Sequence, residues 1–169
     1  MQKLTLFRND KPVITIDGTA GSGKGTLAKK IAFSLGYDHL DTGLLYRYLA
    51  YLKISKGLNL DEVGTLKSLK INYPLIKKIR LKTELISKEA SIISKEKIVR
   101  DFLLSFQRNF ANKPPSLKGS VIDGRDIGSV VIPNAEIKFF IDASTDIRVK
   151  RRLKELNLSE ENNAKEYKN

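Results

Sequence analysis

A glycine-rich stretch with one lysine lies between a run of β-branched residues and a helical pattern, and its sequence is GTAGSGKGT. Glycines let backbone N–H groups turn toward one centre, and the N-terminus of the following helix adds partial positive charge. Lys24 supplies a full positive charge. The pattern predicts a phosphate-binding loop (P-loop) that holds a polyphosphate; the alternative is a turn that only joins a strand to a helix. The predicted phosphate-binding residues are Gly18, Thr19, Ala20, Gly21, Ser22, Gly23, Lys24, Gly25 and Thr26.

Two oxygen-bearing side chains are candidate ligands for Mg²⁺. In the usual P-loop a hydroxyl directly follows the lysine, whereas here Gly25 follows it and the hydroxyl comes at Thr26. Asp123 ends a short apolar run, and in P-loop enzymes an aspartate at the end of a neighbouring buried strand orients the Mg²⁺ shell. We therefore predict Mg²⁺ at Thr26 and Asp123, bound directly or through water. The alternative for Asp123 is a cap on a loop.

Arginines at three places are candidates for anion binding. Arg47 lies about 200° around its predicted helix from Leu45, so it points away from the apolar stripe, toward solvent or a bound anion. Arg125 follows Asp123 closely and could clamp a phosphate with two hydrogen bonds. Each could also be an ordinary surface arginine. A third group shares one face of the last predicted helix at spacings that suit a common anion: Arg148, Arg151 and Arg152.

Hydrophobic patterns predict the elements that position these residues. The predicted strands are 13–16, 37–40, 120–123 and 137–142. The first predicted helix begins after Lys24 and continues to Leu35. The other predicted helices lie at about 43–56, 82–94, 96–110 and 144–156. A strand, a helix and a second strand imply a parallel pair. Residues 59–78 give no clear pattern, since Pro74 breaks any long element. The sequence thus predicts an α/β fold of three layers with a parallel sheet.

The chain length predicts one domain over residues 1–169. We expect its core to comprise residues 12–58 and 119–157, with a helical insertion at about 59–118 that could close over a substrate, and a polar tail at 158–169.

Composition narrows the class of protein. The sequence has no cysteine, which excludes disulfides and thiolate metal sites and permits a reducing compartment. Its longest apolar runs are far shorter than a membrane span, and its first residues lack the apolar core of a signal peptide. We expect a cytoplasmic protein with no membrane partner.

The net charge of +12 raises nucleic-acid binding as a rival function. Ten lysines or arginines and three glutamates lie between Leu66 and Arg100. Such a region could follow a phosphate backbone, or it could be a lysine-rich surface around a site for an anionic substrate. Neither the aromatic pattern of an RNA-recognition motif nor zinc-ligand spacing accompanies it. We therefore do not expect nucleic acid to be the main ligand.

Four segments carry a resemblance to one enzyme family, and the resemblance as a whole covers most of residues 13–156. They are GTAGSGKGT (18–26), LDTGLLYR (40–47), IDGRDIGSVVIPNAEIKFFIDAS (122–144) and RVKRRL (148–153). They look like bacterial cytidylate kinase, a nucleoside monophosphate kinase, and the second and third segments separate that family from the adenylate and thymidylate kinases. The resemblance implies a helical insertion that binds the nucleoside monophosphate, and ATP-dependent phosphorylation of CMP or dCMP to CDP or dCDP.

The resemblance also implies roles for individual residues. Thr42 stands near the nucleotide, and Arg47 and Arg125 match the arginines on the CMP phosphate. The residues that match the cytosine-reading positions are Ser91, Arg100 and Asp126. Phosphoryl transfer needs charge neutralisation more than acid or base groups. Mg²⁺ and a set of catalytic residues would provide this neutralisation. The residues are Lys24, Arg47, Asp123, Arg125, Arg148 and Arg152. The single histidine, His39, is not required by this chemistry.

The sequence departs from the family in two places. The insertion is short at residues 73–80, which could weaken base selectivity. After Leu156 the family normally continues with a helix, a segment rich in arginine and aspartate, a fifth strand and a final helix. Without the fifth strand we expect the fourth to be an exposed sheet edge. The alternative functions are phosphorylation of another small acceptor, and a weakly active or inactive protein that binds nucleotide or nucleic acid. We expect a monomer.

Overall fold

The computed structural model describes residues 10–156. These residues form two compact units, one comprising 10–41 and 107–143 and the other comprising 42–106 and 144–156. The predicted polar tail at 158–169 lies outside the described residues. None of the described helices combines the length and the apolar stretch that crossing a membrane requires.

The first unit contains a parallel sheet of four strands in the order β2-β3-β1-β4. The strands are β1 (Val13–Gly18), β2 (Asp38–Asp41), β3 (Ser120–Gly124) and β4 (Ile137–Ile141). Every residue of β1 and β3 is buried. Such strands read as nearly continuous apolar runs, which is why they were visible in the sequence. The predicted α/β class with a parallel sheet is confirmed.

One expectation about the sheet is wrong. β1 and β2 run parallel, as predicted from the strand-helix-strand pattern, but they are not neighbours. β3 lies between them, with Ile122 opposite Thr15 of β1 on one side and Leu40 of β2 on the other. A helical crossover fixes the relative direction of two strands but leaves room for a third strand to insert.

Helix α1 (Lys24–Leu35) packs on one face of this sheet. Ala28 and Ala32 are buried in a core cluster with Ile14, Ile16 and Val121. Alanine on the helix lets the backbone of α1 approach the strands closely. The helix ends at Leu35 and is capped by Gly36, whose φ of 65° lies in the left-handed region that glycine tolerates.

β4 lies at the edge of the sheet opposite β2, and among the described residues it pairs with β1 alone. Phe139 and Phe140 are 42% and 70% exposed. The prediction that the fourth strand forms an exposed edge is therefore confirmed for the part of the chain that the structure describes.

The second unit is helical. Its helices are α2 (Thr42–Lys56), α3 (Val63–Ser68), α4 (Tyr73–Ile76), α5 (Glu84–Ile93) and α7 (Thr145–Leu156), together with residues 97–106 of α6 (Lys97–Asn112). α2 packs on α5, where Lys53 Nζ and Glu89 Oε1 are 2.7 Å apart. The region without a clear pattern, residues 59–78, contains the two shortest of these helices. Short helices give too few turns for a periodic signal.

The apolar residues of α5 do not all face the core. Ile86 and Ile93 are buried, but Leu85 and Ile92 are 64% and 49% exposed. Ala90 takes a buried position instead. A run of consecutive apolar residues does not show which member faces the core, because each residue turns the helix by about 100°.

Candidate active site

The P-loop has the backbone shape that its glycines predict. β1 ends at Gly18 and α1 begins at Lys24, and between them Gly21 and Gly23 have φ values of 76° and 97°. Only glycine adopts such angles without strain. A Cβ atom at Gly18 would lie 2.0 Å from the carbonyl oxygen of Ile141 on β4, so this position accepts no side chain.

Hydrogen bonds from two side chains hold the P-loop in place. Lys24 Nζ donates a hydrogen bond to the carbonyl oxygen of Thr19 at 3.1 Å. The hydroxyl of Thr19 in turn donates to Asp142 Oδ1 at 2.9 Å, just beyond the end of β4. The ammonium group thus already lies within the loop where a polyphosphate would bind, and a strand neighbouring β1 anchors the loop.

Asp123 is a buried carboxylate beside the P-loop. The residue is 3% exposed, and its Oδ2 lies 3.5 Å from the position that a Cβ on Gly25 would occupy. Burial raises the pKa of Asp123, and the carboxylate of Asp41 adds to this rise. The hydrogen bond to His39 and the positive charge of Lys24 act in the opposite direction and favour the ionised form.

His39 is a site residue for which the sequence suggested no role. It lies on β2, and its Nε2 is 2.7 Å from Asp123 Oδ1. The contact arises because β2 and β3 are neighbours, with Asp41 opposite Asp123 in the register. Strand order was the missing information. A histidine two residues before the end of β2 is otherwise indistinguishable from any partly buried strand residue.

The donor set at this edge of the sheet fits Mg²⁺. Carboxylate and hydroxyl oxygens are the ligands this ion prefers, and it usually takes only one or two carboxylates, with water and substrate phosphates completing its shell. The described residues contain no cluster of three or more acidic, histidine or cysteine side chains that could hold a metal by themselves. Asp123 and the exposed Thr26 are oxygen donors of the kind that this ion takes.

The segment after β3 holds two further predicted site residues, the exposed Arg125 and the half-buried Asp126. It leads into a π-helical turn at Ile127–Val131 that the sequence did not predict. The turn is fixed by Asp17, whose carboxylate accepts hydrogen bonds from the N–H groups of Ile127 and Gly128. At its far end, Arg108 donates to the carbonyl oxygens of residues 130 and 131. Asp17 was not among the predicted site residues.

The remaining predicted site residues lie in the second unit, on helices α2, α5, α6 and α7. Thr42 is buried at the start of α2, and Ser91 is exposed on α5. The arginines Arg47, Arg100, Arg148 and Arg152 are half-buried. The Nε atoms of Arg47 and Arg148 are shielded from solvent and make no hydrogen bond to any residue among 10–156.

A buried donor without a partner costs free energy unless a ligand satisfies it. Among the arginines of the second unit that the structure describes, the shielded Nε atoms make Arg47 and Arg148 candidates for contact with an anion. In the first unit, the structure places the P-loop, Asp123 and the 125–126 segment together at the carboxyl edge of the sheet.

The family model for cytidylate kinase matches residues 14–168. Three curated relatives named cytidylate kinase each cover 85% of this chain. The protein of Bradyrhizobium diazoefficiens is 44% identical over 145 residues, that of Paramagnetospirillum magneticum 43% over 146, and that of Brucella suis biovar 1 45% over 146. The matched region is 67%, 69% and 65% of these relatives, respectively, so the chain spans about two thirds of their length. The chain therefore belongs to the cytidylate kinase family.

Proposed function

We propose that this chain transfers the terminal phosphoryl group of ATP to CMP or dCMP and releases ADP with CDP or dCDP. The observation that carries this proposal is the family match over residues 14–168, which spans both described units. The P-loop, the buried carboxylate and the arginines described above supply the chemistry that such a reaction needs.

The reaction replaces one phosphorus–oxygen bond with another. An oxygen of the CMP phosphate attacks the γ-phosphorus of ATP, and the bond between that phosphorus and the β,γ-bridging oxygen breaks. The transition state is loose and spreads negative charge over the transferred group, so catalysis depends on alignment and on charge neutralisation. The attacking oxygen is already anionic, so the site needs no general base, and His39 is not assigned that role.

The P-loop residues Gly18 to Thr26 bind the phosphates of ATP in this proposal. Their N–H groups and the N-terminus of α1 contact the phosphate oxygens, and Lys24 exchanges its hydrogen bond with Thr19 for one with a phosphate oxygen. Thr26 and Asp123 hold Mg²⁺, directly or through water. When bound, the ion neutralises phosphate charge and helps to align the transferred group.

Arginines neutralise the acceptor and the transferred group. Arg47 and Arg125 bind the phosphate of CMP, and a bidentate guanidinium contact fixes its orientation as well as its charge. Arg148 and Arg152 stabilise the charge that develops during transfer. The shielded Nε atoms of Arg47 and Arg148 support these two assignments. Thr42 lies near the bound nucleotide.

Cytosine recognition is assigned to three residues. Asp126 accepts from the exocyclic amine, while Arg100 and Ser91 contact the ring acceptors, because a carboxylate and cationic or hydroxyl donors match the hydrogen-bonding pattern of cytosine. These assignments, the cytoplasmic location and the monomeric state remain predictions.

The proposal is tested by measuring ADP release with ATP and Mg²⁺ while CMP, dCMP, UMP, AMP and dTMP are offered in turn. The wild type is compared with Lys24→Ala and with Lys29→Ala, an exposed lysine on the same helix. We expect turnover with CMP or dCMP that falls by about 100-fold or more in Lys24→Ala and is unchanged in Lys29→Ala.

Two results would contradict the proposal. Turnover with a different acceptor, and none with CMP or dCMP, would mean that the protein is a kinase of other specificity. A folded protein that binds ATP without turnover of any acceptor would mean that its present function is binding.

A further inference from the structure

The side chain of Asp17 attaches the segment that holds Arg125 and Asp126 to the P-loop strand. Asp17, the residue before Gly18, is buried. One carboxylate oxygen accepts from the N–H of Ile127 at 2.7 Å and the other accepts from the N–H of Gly128 at 2.8 Å. Both oxygens are thus engaged with the backbone of the turn, and hydrogen bonds that involve an ionised group are the stronger kind.

A second contact joins the same turn to the same strand. Thr15 lies two residues before Asp17 on β1, so both side chains project from one face of the sheet. A Cβ atom at Gly128 would lie 2.6 Å from Thr15 Oγ1. The backbone of the turn therefore rests directly on β1, and glycine at position 128 is what allows the approach.

We propose that Asp17 is a positioning residue, which holds the 125–128 turn at a fixed distance from the P-loop without contacting either nucleotide. This inference rests on the proposed function, in which the P-loop binds the donor and Arg125 binds the acceptor. The chain that follows Asp17 forms the P-loop. The carboxylate of Asp17 holds the turn that follows Arg125, the residue assigned to the acceptor phosphate. Donor and acceptor residues thus share one anchor, and phosphoryl transfer is sensitive to small errors in alignment.

Asp17→Asn tests the proposal with little change in shape. The amide keeps one acceptor oxygen, and its NH₂ group faces the remaining N–H donor of the turn. We expect faster hydrogen exchange over residues 125–131 in the ligand-free variant. In steady-state kinetics we expect the KM for CMP to rise by about tenfold, while the KM for ATP changes by less than about twofold.

Glu136→Gln is the matched control. Glu136 Oε2 also accepts a backbone hydrogen bond from β1, from the N–H of Val13 at 2.8 Å, but at the opposite end of the strand from the P-loop. We expect this variant to leave both KM values and the exchange of residues 125–131 unchanged.

Displacing the turn by another route should reproduce the effect. In Gly128→Ala the new Cβ pushes against Thr15, and we expect the same selective rise in the KM for CMP. Adding Thr15→Ala removes the clashing Oγ1, so the double variant should recover most of the wild-type KM. Recovery would show that the displacement of the turn, rather than general damage, causes the loss.

Unchanged hydrogen exchange in Asp17→Asn, or equal changes in both KM values, would overturn the positioning role while leaving the proposed function intact. If the wild type shows no turnover with CMP or dCMP, the proposed function fails. The exchange measurement on the ligand-free protein then still decides whether Asp17 holds the turn.

Discussion

The two units of the molecule differ in the polar side chains that they bury. In the first unit, the buried Asp17 and Asp123 have hydrogen-bond partners at 2.7–2.8 Å. In the second unit, Thr42 is the one buried polar residue among those that the structure describes. That unit also contains a cavity of about 550 Å³ lined mainly by apolar residues of α3 and α6, among them Leu66, Ile98, Phe102 and Phe106.

This difference indicates which unit is held rigidly and which is freer to move. A parallel sheet with strands on both sides of β1 leaves its residues little freedom, so the P-loop and its neighbours are held precisely. A cavity leaves the side chains around it with fewer packing partners, and the segments that move in binding come from loosely packed regions. We therefore expect substitutions in the first unit to be costly in stability and substitutions in the second to act mainly on activity.

The largest effect is expected from adding one methyl group to the P-loop. In Gly18→Ala the new Cβ would lie 2.0 Å from the carbonyl oxygen of Ile141, which forces the loop away from β4. We expect a loss of about 3 kcal/mol or more in the free energy of unfolding, measured by urea denaturation. Gly64→Ala on α3 is the control, because a Cβ there meets nothing within 4 Å, and it should be neutral or slightly stabilising. Similar losses in both variants would remove the contrast between the units.

The second prediction separates activity from stability in the helical unit. Because the Nε of Arg47 is shielded and has no partner among residues 10–156, Arg47→Ala removes a group that does little for the ligand-free fold. We expect kcat/KM for CMP to fall by about 100-fold, while the free energy of unfolding changes by less than about 0.5 kcal/mol. Lys56→Ala, an exposed residue on the same helix, should change neither. A large loss of stability in Arg47→Ala would show that this arginine supports the fold instead.

The sequence predicted the P-loop, the parallel sheet and most helix positions because their signals are local. Glycine spacing and apolar periodicity depend only on neighbouring residues. The contacts of His39 and Asp17 could not be predicted in this way, since they depend on β3 lying between β1 and β2 and on the π-helical turn packing against β1. The exposure of Leu85 could not be predicted for a related reason, because the pattern of α5 does not show which face packs on α2. Tertiary contacts decide each of these features.

The third prediction concerns the buried pair of His39 and Asp123. In His39→Leu the carboxyl of Asp123 loses the hydrogen bond that lowers its pKa, so burial raises that pKa further. A carboxyl with a raised pKa in the folded state favours folding at low pH, and this contribution is lost as the pH rises through that value. We expect the variant to be less stable than the wild type by about 1–2 kcal/mol at neutral pH and by less in mild acid.

Urea denaturation of both proteins at several pH values measures this difference. Asp123→Asn is the matched control, since a neutral amide has no charge to bury, and adding His39→Leu to it should give a smaller deficit at neutral pH than His39→Leu alone. A deficit of the single variant that grows as the pH falls would contradict the assigned role of burial.

The smallest effect is expected at the ion pair between α2 and α5 in the helical unit. Lys53 and Glu89 are 2.7 Å apart, and their side chains are 45% and 21% exposed. The hydrogen bond to Glu89 raises the pKa of Lys53, but solvent screens such a pair and holding two long side chains costs entropy. A double-mutant cycle with Lys53→Met and Glu89→Gln should therefore give a coupling of no more than about 1 kcal/mol, which decreases at high salt. A larger coupling that resists salt would show that α2 and α5 are held as firmly as the strands of the sheet, and the contrast in rigidity between the two units would then fail.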